Sequence, residues 1–338
     1  MPKLDTLIKK RDEVEAKKKP IVLFFTTYQC VSKCLACYCM AGRNRPGFNE
    51  ELFYSAIEDL KDFKFKAAGG EQTLDTRILD FYKVIGKKDI ITSGINFPDV
   101  AHKLKDVGIT KVRISLHGPD AETQNRYFNI KIFDRTIRAL AMARQEFEVE
   151  TETTLTLLNY QKIPKIVALA EQNGVSQANF LFFIPIGRGI SNRQYLELDE
   201  SQRREAIQTI IGLRDGRDIK LNFFGNCGPN FFGSHIVDYF AGRDEAIATS
   251  GGMYCSAGEK FFVLDTSGDV YPCTLMLDRK IGIYEKGRGL VINTSLLQNS
   301  YQKGGACVSC EYERLCQGGC QATRIAYPDK PCITSLLK

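Results

Sequence analysis

Ile21-Val-Leu-Phe-Phe-Thr-Thr-Tyr-Gln-Cys30-Val-Ser-Lys-Cys34-Leu-Ala-Cys37 leads an apolar run, Ile21–Phe25, directly into a C-x3-C-x2-C loop. Three thiolates on one short loop can hold three irons of a [4Fe–4S] cluster and leave the fourth iron open to a substrate or cofactor. The apolar run reads as a strand. The loop lies at its C-terminal end, where parallel α/β barrels gather their ligands.

Working outward, short apolar runs alternate with helical patterns as far as Arg188. Strands are expected at 21–26, 63–67, 90–92, 112–115, 153–158 and 180–185. Apolar residues at helical spacing fall at 50–62, 74–85, 99–106, 134–145 and 163–172. Pro98 with Asp99 and Asp134 mark helix starts, and Gly108 and Gly174 mark stops. Such alternation implies parallel strands with right-handed crossovers. The expected architecture is α/β, a partial (βα)6 barrel over 20–215 preceded by a basic extension at 1–19. A helix at 198–214 and a strand at 219–224 open a Gly-rich bridging region, 216–252. The tail, 253–338, starts with a hairpin of 260–264 and 270–271 and continues as loops held by metal.

Composition sets the limits. At 338 residues and 43% hydrophobic, the chain can bury a large core and carry an appended module. Nothing reads as a secretion signal or a membrane span, so a cytoplasmic protein with reduced thiols is expected. The net charge of +6 is spread over solvated faces. With three His and no zinc-finger spacing, nothing points to nucleic acid. Twelve cysteines in such a chain favour metal ligation over disulfides. Zinc is an alternative for the C-x2-C of the tail, but C-x3-C-x2-C is a poor zinc spacing, so iron–sulfur is favoured for both.

The tail continues the cysteine pattern: Cys255, then Gly268 and Cys273 in C-x12-G-x4-C, then Cys307, Cys310, Cys316 and Cys320, and last Cys332. The three-cysteine loop resembles the radical S-adenosylmethionine (radical SAM) superfamily, and the tail resembles its SPASM subgroup. Further matches are Gly69-Gly70-Glu71, similar to the family's GGE(P) element with Gln72 in place of proline, and Ser115 at the end of the fourth strand. Arg138, Tyr38 in the loop, and Pro185-Ile-Gly-Arg188-Gly also have counterparts in the family.

The resemblance implies one [4Fe–4S] cluster on Cys30, Cys34 and Cys37, whose open iron takes the amino and carboxylate groups of S-adenosylmethionine (SAM). It assigns Gly69, Gly70 and Glu71 to the methionine amino group, Ser115 to the ribose and Arg138 to the carboxylate. His117 stands where the family often has Asp, and is equally well an ordinary strand-end histidine. Two auxiliary clusters are implied: Cys255, Cys273 and Cys320 hold the first, and Cys307, Cys310, Cys316 and Cys332 the second. Cys227 could complete the first set, could return a hydrogen atom to a substrate radical, or could be an inert buried thiol. Cys39 is expected to be structural.

The implied activity is reductive cleavage of SAM to a 5′-deoxyadenosyl radical, followed by hydrogen abstraction from a C–H bond. A peptide or protein is the expected substrate, in maturation of a ribosomally made peptide; tetrapyrrole chemistry is the alternative. Oxidation of the sulfatase-maturase type ranks lower, because Thr274 follows Cys273 where those relatives have an aspartate. About twenty residues precede the first strand, so either a separate leader-binding protein is expected to deliver a precursor peptide or the substrate is bound directly. An external electron donor such as flavodoxin or ferredoxin completes the expected partners, in an anaerobic setting.

Overall fold

The apolar run Ile21–Phe25 is a strand, β1, whose alternate residues separate two environments. Val22 and Phe24 enter the main core, where the Phe24 ring meets Phe53 and Phe81 edge-on at 5.2 and 5.1 Å. Leu23 and Phe25 face the other way, into a smaller cluster with Tyr28, Val263 and Tyr271. The computed structural model describes residues 9, 12–13, 16–42, 45–223, 255–296 and 318–327. Cys227, Cys307, Cys310, Cys316 and Cys332 lie outside the described residues, as does the stretch 224–254.

The barrel strands follow as β2 (Lys64–Ala68), β3 (Asp89–Thr92), β4 (Lys111–Ser115), β5 (Glu148–Leu155), β6 (Gln177–Phe182) and β7 (Lys220–Phe223). Strands β3 to β7 form one parallel sheet in chain order. β1 and β2 pair in parallel in a second sheet. Among the described residues no strand pairing joins β2 to β3, so the parallel array is split there. In this second sheet β8 (Phe261–Asp265) lies parallel to β1, from Ile21 opposite Phe261 to Phe25 opposite Asp265. β9 (Asp269–Tyr271), β10 (Gly282–Glu285) and β11 (Gly289–Ile292) then continue it antiparallel. The first part of the cysteine-rich tail thus extends the sheet that carries β1.

β6 starts at Gln177, three residues before the expected 180, and the tail expected to continue as loops after its hairpin instead adds β10, which pairs with β9, and β11, which pairs with β10. Two further differences have identifiable physical reasons. β5 starts at Glu148, five residues before the expected 153, because its first half is charged. Glu150 is buried yet polar, since Lys111 Nζ (2.5 Å) and Arg113 Nε (2.8 Å) from β4 and Asn179 Nδ2 (3.1 Å) from β6 donate to it. Helix Ala121–Phe128 was not expected at all. It is short and polar, starts where Asp120 accepts from Thr123 N, and stops at Asn129 in the left-handed region (φ +54°).

Candidate active site

The three-cysteine loop leaves β1 at the C-terminal end of the parallel strands. Neighbouring backbone fixes its course. Lys33 N and Leu35 N donate to Phe128 O (3.2 Å) and Tyr127 O (2.9 Å), so the end of the unexpected helix supports the loop from one side. Gly70 N and Glu71 N donate to Thr27 O and Gln29 O, both at 2.7 Å, supporting it from another. A side chain at Gly69 would place its Cβ 2.8 Å from Thr27 O, and one at Gly70 only 2.2 Å from Gln29 O. Here both glycines permit close approach of the Gly69–Glu71 backbone to the chain leading into Cys30.

Cys30, Cys34 and Cys37 are half-buried and Cys39 is buried. Burial pushes the Cys30 thiol up to about 11 and also raises Cys34. Cys37 is lowered to about 6, first by the hydrogen bond from Cys39 (Sγ to Sγ 3.7 Å), with burial opposing. The Cys37 sulfur also accepts from Ala41 N at 3.3 Å. Cys39 therefore hydrogen-bonds to one of the three loop thiols.

Glu71 does something the sequence did not reveal. Its carboxylate is buried and accepts four hydrogen bonds: Oε1 from Thr73 Oγ1 (2.8 Å) and Thr92 Oγ1 (2.7 Å), Oε2 from Ser93 N (2.9 Å) and Ser93 Oγ (2.5 Å). Thr92 ends β3 and Ser93 follows it, so Glu71 bridges the split between the two sheets. A carboxylate offers about four acceptor positions, and all are used here.

Ser115 ends β4 in register with Glu152 of β5. His117, just beyond, is buried and neutral. Its Nδ1 accepts from Thr154 N at 3.1 Å, its ring stacks on Tyr127 at 3.8 Å, and burial lowers it to about 3. Gln124 of the unexpected helix fixes this turn, accepting from His117 N and Gly118 N and donating to Ser115 O. Arg138 is exposed on helix Phe133–Ala143, whose buried face is Thr136, Ala139, Leu140 and Ala143.

Two groups escaped the sequence reading. Glu152 lies on the same face of β5 as Glu150; its Oε1 is buried without a hydrogen bond, 3.8 Å from Arg113 Nη1. Burial raises its carboxyl to about 7; Arg113 opposes this, while Glu150 and Asp89 add to it. Tyr28, two residues before Cys30, donates to Asp265 Oδ2 at 3.2 Å, and Arg45 pairs with the same oxygen at 3.2 Å. Asp265 is fully buried and also accepts from Ser267 N and Asp269 N. These bonds tie the root of the cysteine loop to the tail hairpin.

In the tail, Cys255, Cys273 and Cys320 gather in one small cluster with Ala257, Met276 and Ala322. Burial pushes Cys273 up to about 12, with Cys320 and Cys255 close enough to add to the effect. Gly318 and Gly319, both at positive φ (+90° and +73°), turn the chain into Cys320. After helix Gln321–Ala326, Tyr327 anchors the segment: Arg203 Nη2 donates to its hydroxyl at 3.2 Å and Arg193 sits 5.0 Å over its ring. Among the described residues no His, Cys, Asp or Glu group closes on a single metal-ion position. Each trio instead offers thiols alone, the donor set suited to iron–sulfur clusters.

Residues 24–172 match the Radical SAM superfamily. This stretch is a radical SAM domain, and the protein is an enzyme of the radical SAM type, a class that carries a [4Fe–4S] cluster and SAM. The chain is 25% identical over 342 residues to mycofactocin maturase MftC of Mycolicibacterium smegmatis, covering 91% of this chain and 81% of that protein. It is 24% identical over 242 residues to the AdoMet-dependent heme synthase of Methanosarcina barkeri, covering 68% of this chain and 67% of the other. The solved structure of Streptococcus suis SuiB bound to precursor peptide SuiA shares the fold, with a TM-score of 0.67 at 15% identity over 96% of this chain and 77% of that one.

Proposed function

We propose that the protein modifies a ribosomally made peptide by radical chemistry, with the SAM-binding cluster on Cys30, Cys34 and Cys37. The observation that carries this reading is the position of the three-thiol loop, at the C-terminal end of β1 and supported by the Gly69–Glu71 backbone. When bound, the cluster and SAM supply a 5′-deoxyadenosyl radical able to take a hydrogen atom from an unactivated C–H bond. The protein's part is to position and shield. The Gly69–Glu71 backbone is assigned to the methionine amino group and Ser115 to the ribose. Because the Glu71 carboxylate is occupied by Thr73, Thr92 and Ser93, its share of that contact is assigned to its backbone. Arg138, exposed on its helix, is assigned to the cofactor carboxylate.

The gathering of Cys255, Cys273 and Cys320 supports the first auxiliary cluster. Cys227, as fourth ligand or hydrogen donor, and a second auxiliary cluster on Cys307, Cys310, Cys316 and Cys332 complete the proposal for the tail. A separate leader-binding protein and a flavodoxin or ferredoxin as electron donor are its proposed partners, in an anaerobic cytoplasm. Among the described residues no helix is long and apolar enough to cross a membrane. Peptide maturation is preferred to tetrapyrrole chemistry because the resemblance to the maturase spans 91% of the chain, against 68% for the heme synthase. The test is to incubate reconstituted enzyme with SAM, reductant and either peptides encoded beside the gene or iron-coproporphyrin. A mass change in a peptide supports the reading, and turnover of the porphyrin alone overturns it.

A further inference from the structure

We propose that Arg188 is the positioning residue of the three-cysteine loop, and that its charge raises the reduction potential of the cluster bound there. This rests on the assignment of a cluster to Cys30, Cys34 and Cys37. Arg188 lies in Pro185-Ile-Gly-Arg-Gly189, a segment for which the sequence offered a resemblance but no role.

Three bonds from this one residue reach three points of the loop. Its backbone N–H donates to Cys37 O at 2.9 Å, Nη1 to Cys34 O at 2.9 Å, and Nη2 to Ala41 O at 2.8 Å. The guanidinium fork thus spans the loop from its second cysteine to its exit, a task for a planar group with several fixed donors. Asn192 Nδ2 adds a bond to Leu35 O at 3.0 Å and ties back to Arg188 O at 3.1 Å. The approach is close enough to dictate Gly187, which has φ +55° and whose Cβ would stand 2.3 Å from Tyr38 O and 2.5 Å from Cys37 O.

Among the described residues its charge is also spare. All the side-chain acceptors of the Arg188 guanidinium are neutral carbonyls, and among the described residues no carboxylate pairs with it. It is half-buried, and its guanidinium is held at the Cys34 and Ala41 carbonyls, beside the loop thiols. A fixed positive charge in a poorly solvated site stabilises whichever state of a neighbouring group is more negative. For an iron–sulfur cluster that is the reduced state, and nearby charge and hydrogen bonds are among the factors that set its potential. The hydrogen bonds act on the shape of the loop and the charge on the electron, so the two roles can be separated by substitution.

The experiment uses full-length protein reconstituted anaerobically, as wild type, Arg188→Lys and Arg188→Gln. The cluster signal is identified as the one lost in a Cys30→Ala, Cys34→Ala, Cys37→Ala variant. EPR-monitored redox titration should give a more negative midpoint for Arg188→Gln and a near wild-type midpoint for Arg188→Lys. Hydrogen–deuterium exchange of the metal-free proteins should be faster over residues 30–42 in both variants, by at least threefold, even if the Gln variant takes up iron poorly. An unchanged midpoint in Arg188→Gln, or unchanged exchange in both variants, overturns the proposal while leaving the cluster assignment intact. A triple-cysteine variant that loses no signal overturns the assignment and the proposal together.

Discussion

Glu152 is a carboxyl in a place that disfavours its charge. It shares Arg113 with Asp89 and Glu150, and its Oε1 is buried without a hydrogen bond. Burial pushes its carboxyl up to about 7, whereas an unfolded glutamate titrates near 4.3. Between those values the folded protein holds the proton and the unfolded chain does not. Stability should therefore fall as pH rises from about 4.5 to 7, by at most about 4 kcal/mol. Glu152→Gln should flatten that part of the curve, measured as denaturant unfolding of the metal-free protein across this range; a slope identical to wild type would contradict the assignment. His117 has the opposite sign. Held neutral to about 3, it contributes stability present above about 6.5 and lost as pH falls through that window. Glu71→Gln keeps the shape but replaces one acceptor oxygen by a donor facing hydroxyl and N–H groups. A loss of about 2 kcal/mol is expected, read as a lower thermal midpoint of the metal-free protein.

The elements meeting at the cysteine loop arrive from distant parts of the sequence: the turn after β2, the end of helix Ala121–Phe128, the segment after β6 and the tail hairpin. Gly70→Ala tests one of these contacts. With 2.2 Å between its Cβ and Gln29 O, the backbone must move, at a cost of about 3 kcal/mol and with loss of iron from the loop. Normal iron content and thermal midpoint in that variant would show that the two segments are not so closely packed. The alternation of β1 to β7 with helices was legible because most strands are short apolar runs bounded by turn residues. β5 was misplaced because its buried acids depend on partners from adjacent strands, which no local pattern displays. Helix Ala121–Phe128 escaped because its buried face is Thr123, Gln124, Tyr127 and Phe128, too polar and too short to show an apolar period. Cys30, Cys34 and Cys37 could be read as one group because their spacing is local. What holds them could not: Glu71, Arg188 and Asp265 act on segments up to 237 residues away.

Across the whole molecule, the tail is joined to the barrel as well as appended to it. β8 extends the sheet beside β1, Asp265 reaches back to Tyr28 and Arg45, and Tyr327 sits against Arg193 and Arg203. The two thiol trios are thus held on one framework. Asp265→Ala should loosen that link. It removes the acceptor of Tyr28 and Arg45 and should cost about 3–5 kcal/mol, with tail and barrel both losing protection in hydrogen–deuterium exchange. The central claim, radical cleavage of SAM at Cys30, Cys34 and Cys37, has a more direct test. Anaerobic, reconstituted enzyme with dithionite and SAM should form 5′-deoxyadenosine, and the Cys30→Ala, Cys34→Ala, Cys37→Ala variant should form none; no 5′-deoxyadenosine from wild type with its clusters shown to be present would contradict the account.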